Sequence, residues 1–151
     1  MLHVALWEPE IPPNTGNVAR LCAATGSRLH LVGRLGFRLD DRSLHRAGVD
    51  YWPAVDWRRH ATLADLEADL TGHRLFAFSA HAARPYTQVA YEPGDCLLFG
   101  GESHGLPAGV LARLGERALC IPMPGGGVRS LNLATAVGIA LYEALRQLNR
   151  W

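Results

Sequence analysis

Three segments rich in glycine, asparagine and proline carry the residues whose types and spacing could do chemistry. The first is Glu8–Arg20, in which Asn17 and Arg20 stand three positions apart. On a helix that spacing places an amide and a guanidinium on one face, close to the helix N-terminus. Such a helix start suits a phosphate group or another oxyanion, because its N–H groups and the guanidinium both donate.

The second segment, Leu98–Leu106, has the sequence LFGGESHGL and allows two interpretations. Gly100 and Gly101 would let a ligand approach the backbone closely. The same segment contains GESHG, which matches the GxSxG pattern of serine hydrolases. In those enzymes the acid and the histidine follow the serine along the chain, and no histidine follows His104. The residue order therefore disfavours a hydrolase.

The third segment, Ile121–Ala136, has the sequence IPMPGGGVRSLNLATA. Its glycine run is typical of either a flexible connection or a phosphate cradle. It lacks the GK[ST] of a P-loop, and it is not the GxGxxG of a Rossmann dinucleotide site. We expect Ser130 to cap the last helix and Asn132 to lie in its first turn. Capping does not explain Arg129 or Asn132, so both are candidate site residues.

The elements that must position these segments alternate along the chain. Each segment follows an expected strand, and parallel strands present their carboxyl ends at one sheet edge, so the segments should meet there. The alternation predicts an α/β fold with a mainly parallel sheet flanked by helices. The expected strands are His3–Trp7, Arg28–Val32, Arg74–Ser79, Asp95–Gly100 and Ala118–Met123, and the expected helices are Gly16–Thr25, Thr62–Leu70, Pro107–Leu114 and Leu131–Leu148. Asn14 or Thr15 would be the N-cap of the first of these helices.

Length and charge limit the possible functions. The 151 residues, 48% of them hydrophobic, suit one domain over 1–151. The net charge is only +1, so binding to a nucleic acid would need a local basic patch. All fifteen basic residues are arginine, which excludes a P-loop lysine, a Schiff-base lysine and a Ser–Lys dyad.

Cysteine, histidine and apolar patterns indicate a cytoplasmic protein without a metal. The three cysteines are far apart and stand in apolar stretches, as buried thiols in a reducing compartment do. The seven histidines show no HxxxH or HExxH spacing, so we expect no metal site. No apolar run approaches the ~20 residues that span a bilayer, so we expect no membrane partner.

The motifs resemble a known class of enzymes. NTGNVAR at Asn14–Arg20, GGESHGL at Gly100–Leu106 and IPM…RSLNLATAV at Ile121–Val137 resemble the three ordered motifs of SPOUT methyltransferases. The stretches EPEIPPNTGN, RLCAATG, RAGVDY and YEALRQL are similar to the tRNA (cytidine/uridine-34-2′-O)-methyltransferase family. The sequence departs from that pattern in two places. The stretch 124–128 is richer in glycine than the family pattern, and Phe78 stands where the family often has a smaller aliphatic residue.

This resemblance implies a fold and an activity. The fold would contain a deep C-terminal trefoil knot, and two copies would form a homodimer with a shared site. The enzyme would 2′-O-methylate the wobble nucleotide of tRNA, converting S-adenosylmethionine to S-adenosylhomocysteine. Carried onto this chain, the cofactor residues are Phe78, Ser79, Gly100, Gly101, Glu102, Ile121, Met123, Ser130 and Leu131.

The resemblance also implies roles for the polar residues. Arg20, Ser130 and Asn132 would be catalytic, and Asn17, Arg20, Arg129 and Tyr142 would contact RNA. Because a guanidinium stays protonated, we expect Arg20 to hold a phosphate and stabilise an alkoxide rather than act as a base. Glu102 would face the positive charge of the cofactor, or else be a surface acid.

Other functions and the assembly remain open at this point. The same chemistry on another RNA, such as rRNA, is one alternative, and a non-catalytic RNA-binding protein is a second. The last expected helix carries an apolar stripe over Leu131–Leu148. We expect that stripe, completed near Val18–Cys22, to form the interface of a homodimer.

Overall fold

The computed structural model describes residues 1–40, 42 and 52–151, so the RAGVDY stretch lies outside the described residues. Seven strands form one sheet in the order β3-β2-β1-β6-β4-β7-β5, and every pairing between these strands is parallel. The strands are β1 His3–Trp7, β2 Arg28–Val32, β3 Trp57–His60, β4 Leu75–Phe78, β5 Arg84–Pro85, β6 Cys96–Gly100 and β7 Ala118–Cys120.

The central strands are those that the apolar runs predicted. β1 lies between β2 and β6, and four of its five side chains are apolar, as expected for a parallel strand that is buried on both faces. The two strands that the sequence did not predict, β3 and β5, form the edges of the sheet. β3 has the sequence WRRH and is largely exposed, so it has no apolar run. β5 has only two residues.

Helices cover both faces of the sheet and close two separate cores. They are α1 Pro12–Thr25, α2 Leu63–Asp69, α3 Val110–Leu114 and α4 Leu133–Asn149. α1 and α4 pack on one face, where Val18 and Leu141 join a large buried cluster. α2 and α3 pack on the other face through Leu66 and Val110. Among the described residues, no helix is both long and apolar enough to cross a bilayer.

Three predicted helix starts were wrong. α3 begins at Val110 after Gly109 rather than at Pro107. Each of the other two corrections changes the contacts that a polar side chain can make. α1 begins at Pro12 after Ile11, because proline tolerates the first turn, where its missing N–H has no partner. Asn14 therefore lies inside the helix instead of capping it. α4 begins at Leu133, and its cap is Asn132 rather than Ser130. The Oδ1 atom of Asn132 accepts a hydrogen bond from the Thr135 N–H at 3.2 Å.

Part of the stripe that was predicted to form a dimer interface is buried within this chain, whereas Leu145 and Leu148 are only partly buried. Val137, Leu141 and Ala144 of the α4 stripe are completely buried within this chain. Val18 and Cys22 of α1 are buried in the same core. The stripe holds α4 against α1 and the sheet, so these side chains are not available to a second subunit.

Candidate functional site

A cavity of about 620 Å³ lies at the carboxyl-end edge of the sheet, where β4, β6 and β7 run into loops. This is the edge at which parallel α/β sheets bind ligands. The structure brings together there all nine residues that the resemblance assigns to a cofactor: Phe78, Ser79, Gly100, Gly101, Glu102, Ile121, Met123, Ser130 and Leu131. Arg129 and Asn132 also line the cavity.

Three of the predicted RNA-contacting residues are not among those that line this cavity. Asn17 and Arg20 are exposed on α1. Tyr142 is exposed on α4, where its ring centroid lies 6.3 Å from that of Trp151. One chain by itself therefore gathers the expected cofactor residues but leaves Asn17, Arg20 and Tyr142 outside.

A hydrogen bond between two asparagines joins the first and the third loop. The Nδ2 atom of Asn132 donates to Oδ1 of Asn14 at 3.1 Å. Asn14 is only 7% exposed and also lines the cavity. This role of Asn14 differs from the helix cap that the sequence predicts. Since the two residues stand 118 positions apart, no local spacing connects them.

Two glutamates join the first and the second loop. The Oε2 atom of Glu102 accepts hydrogen bonds from the N–H groups of Glu10 at 2.6 Å and Ile11 at 3.2 Å. In return, Glu10 accepts from the N–H of Ser103 at 3.1 Å and from its hydroxyl at 2.6 Å. The hydrogen bond from the Ser103 side chain lowers the pKa of the Glu10 carboxyl. Ser103 thus donates to a carboxylate, an arrangement unlike that of a hydrolase nucleophile.

The second carboxylate oxygen of Glu102 is left over at the cavity. Oε1 is buried and has no hydrogen-bond partner among the described residues. A buried acceptor without a partner is costly, so a donor from a ligand would stabilise it. Glu102 is therefore not a surface acid, because one of its oxygens fixes the first loop and the other is buried without a partner among the described residues.

Gly100 and Gly101 are required by the chain's own backbone. A Cβ at Gly100 would collide with the backbone of Gly105, where the second loop turns back on itself. A Cβ at Gly101 would lie 2.5 Å from the carbonyl oxygen of Glu8. The interpretation that these glycines admit a ligand was therefore incomplete, because the closest approach is that of neighbouring loops.

One wall of the cavity is aromatic. Phe78 and Phe99, at the paired ends of β4 and β6, stack with ring centroids 4.8 Å apart and an interplanar angle of 17°. Ile121, Met123 and Leu131 add apolar surface to the same cavity. Such a lining, with a few polar groups at its margin, suits a ligand that has a planar ring.

The glycine run of the third loop is open to solvent. A Cβ at Gly125, Gly126 or Gly127 would meet nothing within 4 Å, and only Gly126 has a positive φ, of 63°. Arg129 and Ser130, which follow the run, are also exposed. Internal packing therefore does not require the run, which leaves its backbone accessible beside the cavity.

Variants of Asn132 should separate its two structural roles. Asn132→Ala removes both the cap and the partner of Asn14, and should lower the free energy of unfolding by about 2 kcal/mol. Asn132→Ser keeps a capping oxygen but cannot reach Asn14, so it should cost about 1 kcal/mol. Denaturant titration would measure both values.

The control is a double-mutant cycle with Asn14→Ala. If Asn14 and Asn132 stabilise the fold through their mutual hydrogen bond, Asn14→Ala should lower the free energy of unfolding much less in the Asn132→Ser background than in the wild-type chain. Additive costs would contradict a direct link between the two loops.

Comparisons with known proteins agree over nearly the whole chain. The model of the SpoU rRNA Methylase family matches residues 1–142. The tRNA (cytidine(34)-2'-O)-methyltransferase of Escherichia coli (strain K12) is 49% identical over 151 residues, covering 98% of this chain and 94% of that protein.

Two solved structures have a similar fold. One, from work described as structural insights into the 2-OH methylation of C/U34 on tRNA, has a TM-score of 0.94 and 55% identity, covering 100% of this chain and 98% of that one. An AdoMet-bound rRNA methyltransferase from Sinorhizobium meliloti has a TM-score of 0.85 and 31% identity, covering 97% of this chain and 56% of that one. With a family match over residues 1–142 and such identity to full-length relatives, this chain belongs to the SpoU rRNA methylase family.

Proposed function

We propose that this protein is a methyltransferase that uses S-adenosylmethionine to methylate the ribose 2′-OH of nucleotide 34 in tRNA. The observation that carries the proposal is the convergence of the three motif loops on one cavity. Relatives that cover almost the full chain have this activity in their names. The reaction fits the site, because the transfer of an activated methyl group mainly requires positioning.

The cavity suits the proposed cofactor in size and in lining. A volume of about 620 Å³ lies within the usual range of small-molecule sites. The apolar wall at Phe78 and Leu131 would accept the adenine ring. The unpartnered Oε1 of Glu102 would accept a hydrogen bond from the cofactor or face its positive charge. An AdoMet-bound relative at 31% identity supports this assignment.

The chain's residues would place the ribose hydroxyl and ease the loss of its proton. When bound, the cofactor supplies an activated methyl group on sulfur. The guanidinium of Arg20 remains protonated, so it would hold an RNA phosphate and stabilise the developing alkoxide. Arg129, beside the cavity, would hold a second phosphate, and Ser130 would orient the nucleophile.

Asn132 has a different proposed role from the catalytic one first expected. Its amide nitrogen bonds Asn14 and its carbonyl oxygen caps α4, so both of its polar groups already have partners in the protein. We therefore assign it as a positioning residue, which fixes the third loop against the first.

A homodimer with a shared site would bring the missing arginine to the cavity. Arg20 lies outside the cavity of its own chain, so the Arg20 that serves this cavity would be Arg20 of the partner subunit. Tyr142 and Trp151 are large hydrophobic side chains that are 45% and 68% exposed, and their rings lie 6.3 Å apart with a tilt of 33°. Such a patch is typical of an interface. We place the dimer contact there and not on the buried part of the α4 stripe.

The trefoil knot, the single domain and the cytoplasmic location remain parts of this proposal. The exposed residues 124–130 lead from β7 to α4, and Asn132 then reaches Asn14 at the start of α1. That path suits a chain end that passes through an earlier loop. A cytoplasmic location would give such an enzyme access to its tRNA substrate.

The same reaction on rRNA is the second candidate. The matching family carries rRNA methylase in its name, and one structural relative is an rRNA methyltransferase. The experiment that separates the two uses purified protein, labelled S-adenosylmethionine and total RNA from a deletion strain. Nuclease mapping should place the label on the ribose of nucleotide 34 of selected tRNAs.

Each other outcome changes a defined part of the proposal. Label on another tRNA ribose would overturn the position, and label on a base would overturn 2′-O transfer. Label only in rRNA would favour the second candidate. No cofactor binding in calorimetry would favour a non-catalytic RNA-binding protein.

Replacement of Arg20 should separate turnover from cofactor binding. Arg20→Ala should lower kcat by about 100-fold or more, because a charge that stabilises the alkoxide is lost. The Kd for S-adenosylmethionine should stay within about twofold, since Arg20 does not line the cavity of its own chain. Arg38→Ala, at an arginine that is 85% exposed and paired with Asp40, is the matched control. Loss of cofactor binding in a folded Arg20→Ala protein would contradict the assigned role.

The shared site predicts that two inactive variants restore activity together. Sedimentation should give about twice 16.5 kDa for the wild-type chain. Leu131→Trp should fill the cavity and abolish activity. Mixed dimers of Arg20→Ala and Leu131→Trp chains would contain one intact site, so a one-to-one mixture should regain about a quarter of wild-type activity. An active monomer, or a mixture without activity, would show that Arg20 serves its own chain.

A further inference from the structure

Three histidines form a hydrogen-bonded row on the sheet face that α2 covers. Nδ1 of His3 lies 2.9 Å from Nε2 of His30, and Nδ1 of His30 lies 2.8 Å from Nε2 of His60. They come from β1, β2 and β3, and none of them lines the cavity described above. His30 is completely buried, which is unusual for a polar side chain that serves only packing.

A carboxylate from α2 faces the gap between two of these rings. Oδ2 of Asp69 lies 3.9 Å from Nδ1 of His30 and 3.7 Å from Nε2 of His60. Both distances are too long for hydrogen bonds. The other oxygen, Oδ1, accepts from Arg58 at 2.8 Å, which fixes the orientation of the carboxylate. Oδ2 therefore faces two imidazole nitrogens without bonding either of them.

Nδ1 of His30, Nε2 of His60 and Oδ2 of Asp69 have the spacing of metal ligands. They form a triangle with sides of 2.8, 3.7 and 3.9 Å, and a point equidistant from all three lies about 2 Å from each. Zinc binds histidine nitrogen at about 2.0–2.1 Å and carboxylate oxygen at about 2.0–2.2 Å. The structure assigns to His30, His60 and Asp69 a binding site for a divalent transition-metal ion of the Zn²⁺ type.

His3 orients the innermost ligand. If Nε2–H of His30 donates to Nδ1 of His3, the tautomer of His30 is fixed and the lone pair of its Nδ1 faces the proposed ion. Histidine ligands of metals usually have such a partner on their second nitrogen.

The ligand set favours zinc or cobalt over magnesium or calcium. Two imidazoles and one carboxylate are borderline ligands, whereas Mg²⁺ and Ca²⁺ prefer oxygen alone. The Asp69 side chain is 27% exposed, so a fourth position on its side is open to water. A bound ion would hold edge strand β3 and helix α2 to β2, so we expect it to stabilise this side of the sheet.

The sequence expectation of no metal rested on the lack of closely spaced ligands. His30 and His60 stand 30 positions apart, on two neighbouring strands, and Asp69 comes from a helix. Spacing along one helix cannot reveal a ligand set that three elements bring together.

The test is a titration of metal-stripped full-length protein with Zn²⁺ by calorimetry, and with Co²⁺ by visible absorption. We expect one ion per chain, and intense Co²⁺ bands that indicate four-coordinate binding. His60→Asn and Asp69→Asn should each weaken binding at least about tenfold, since each removes one ligand of three. His81→Asn, at an exposed histidine outside the cluster, should bind as the wild-type chain does.

Thermal unfolding gives a second measurement. Zn²⁺ should raise the Tm of the wild-type and His81→Asn chains, but not that of the two site variants. Asp69→Asn keeps an oxygen for Arg58, so it should fold even if His60→Asn does not. Binding that is absent in the wild-type chain, or equal in all four proteins, would overturn the proposal. S-adenosylmethionine binding plays no part in this test.

Discussion

The hydrogen bond between Asn132 and Asn14 is the interaction on which the site most depends. It joins the third motif loop to the first, at the N-termini of the two helices that pack on one face of the sheet. Asn132 can make this bond because only its carbonyl oxygen is used to cap α4. Asn14 can accept it because the two prolines begin α1 without a side-chain cap. A polar link between two helix starts thus fixes the boundary of the cavity.

The second loop is held by a comparable exchange. Glu102 accepts from the backbone of the first loop, and Glu10 accepts from Ser103 of the second. Glycine at position 101 lets the carbonyl oxygen of Glu8 come close enough for that exchange. Because the three loops hold one another, the cavity is formed before any ligand arrives. Such preorganisation suits a transfer reaction in which the protein mainly positions its reactants.

The two faces of the sheet carry different chemistry for a physical reason. The face under α1 and α4 has a large apolar core, which lets two long helices pack on it and leaves the loops at the strand ends to define the cavity. The other face carries a smaller core, and a row of histidines lies towards the β3 edge. Polar groups buried at that edge need partners, and the three histidines supply them to one another, whereas the carboxylate of Asp69 from α2 lies close without forming a hydrogen bond to either ring.

The sequence by itself determined the fold class, the five strands with buried apolar runs, and the three loops at their carboxyl ends. It did so because buried parallel strands must be apolar and because the motif residues lie close together along the chain. It could not predict the exposed strand β3, whose sequence WRRH has no apolar run.

Only the tertiary structure decided which partners the polar side chains have. The Asn14–Asn132 bond, the exchange between Glu102 and Glu10, and the approach of Asp69 to His30 each join residues from separate elements. It also decided that Val137, Leu141 and Ala144 of the α4 stripe are buried inside the chain. Local patterns state that a side chain is polar or apolar, but packing alone determines what lies opposite it.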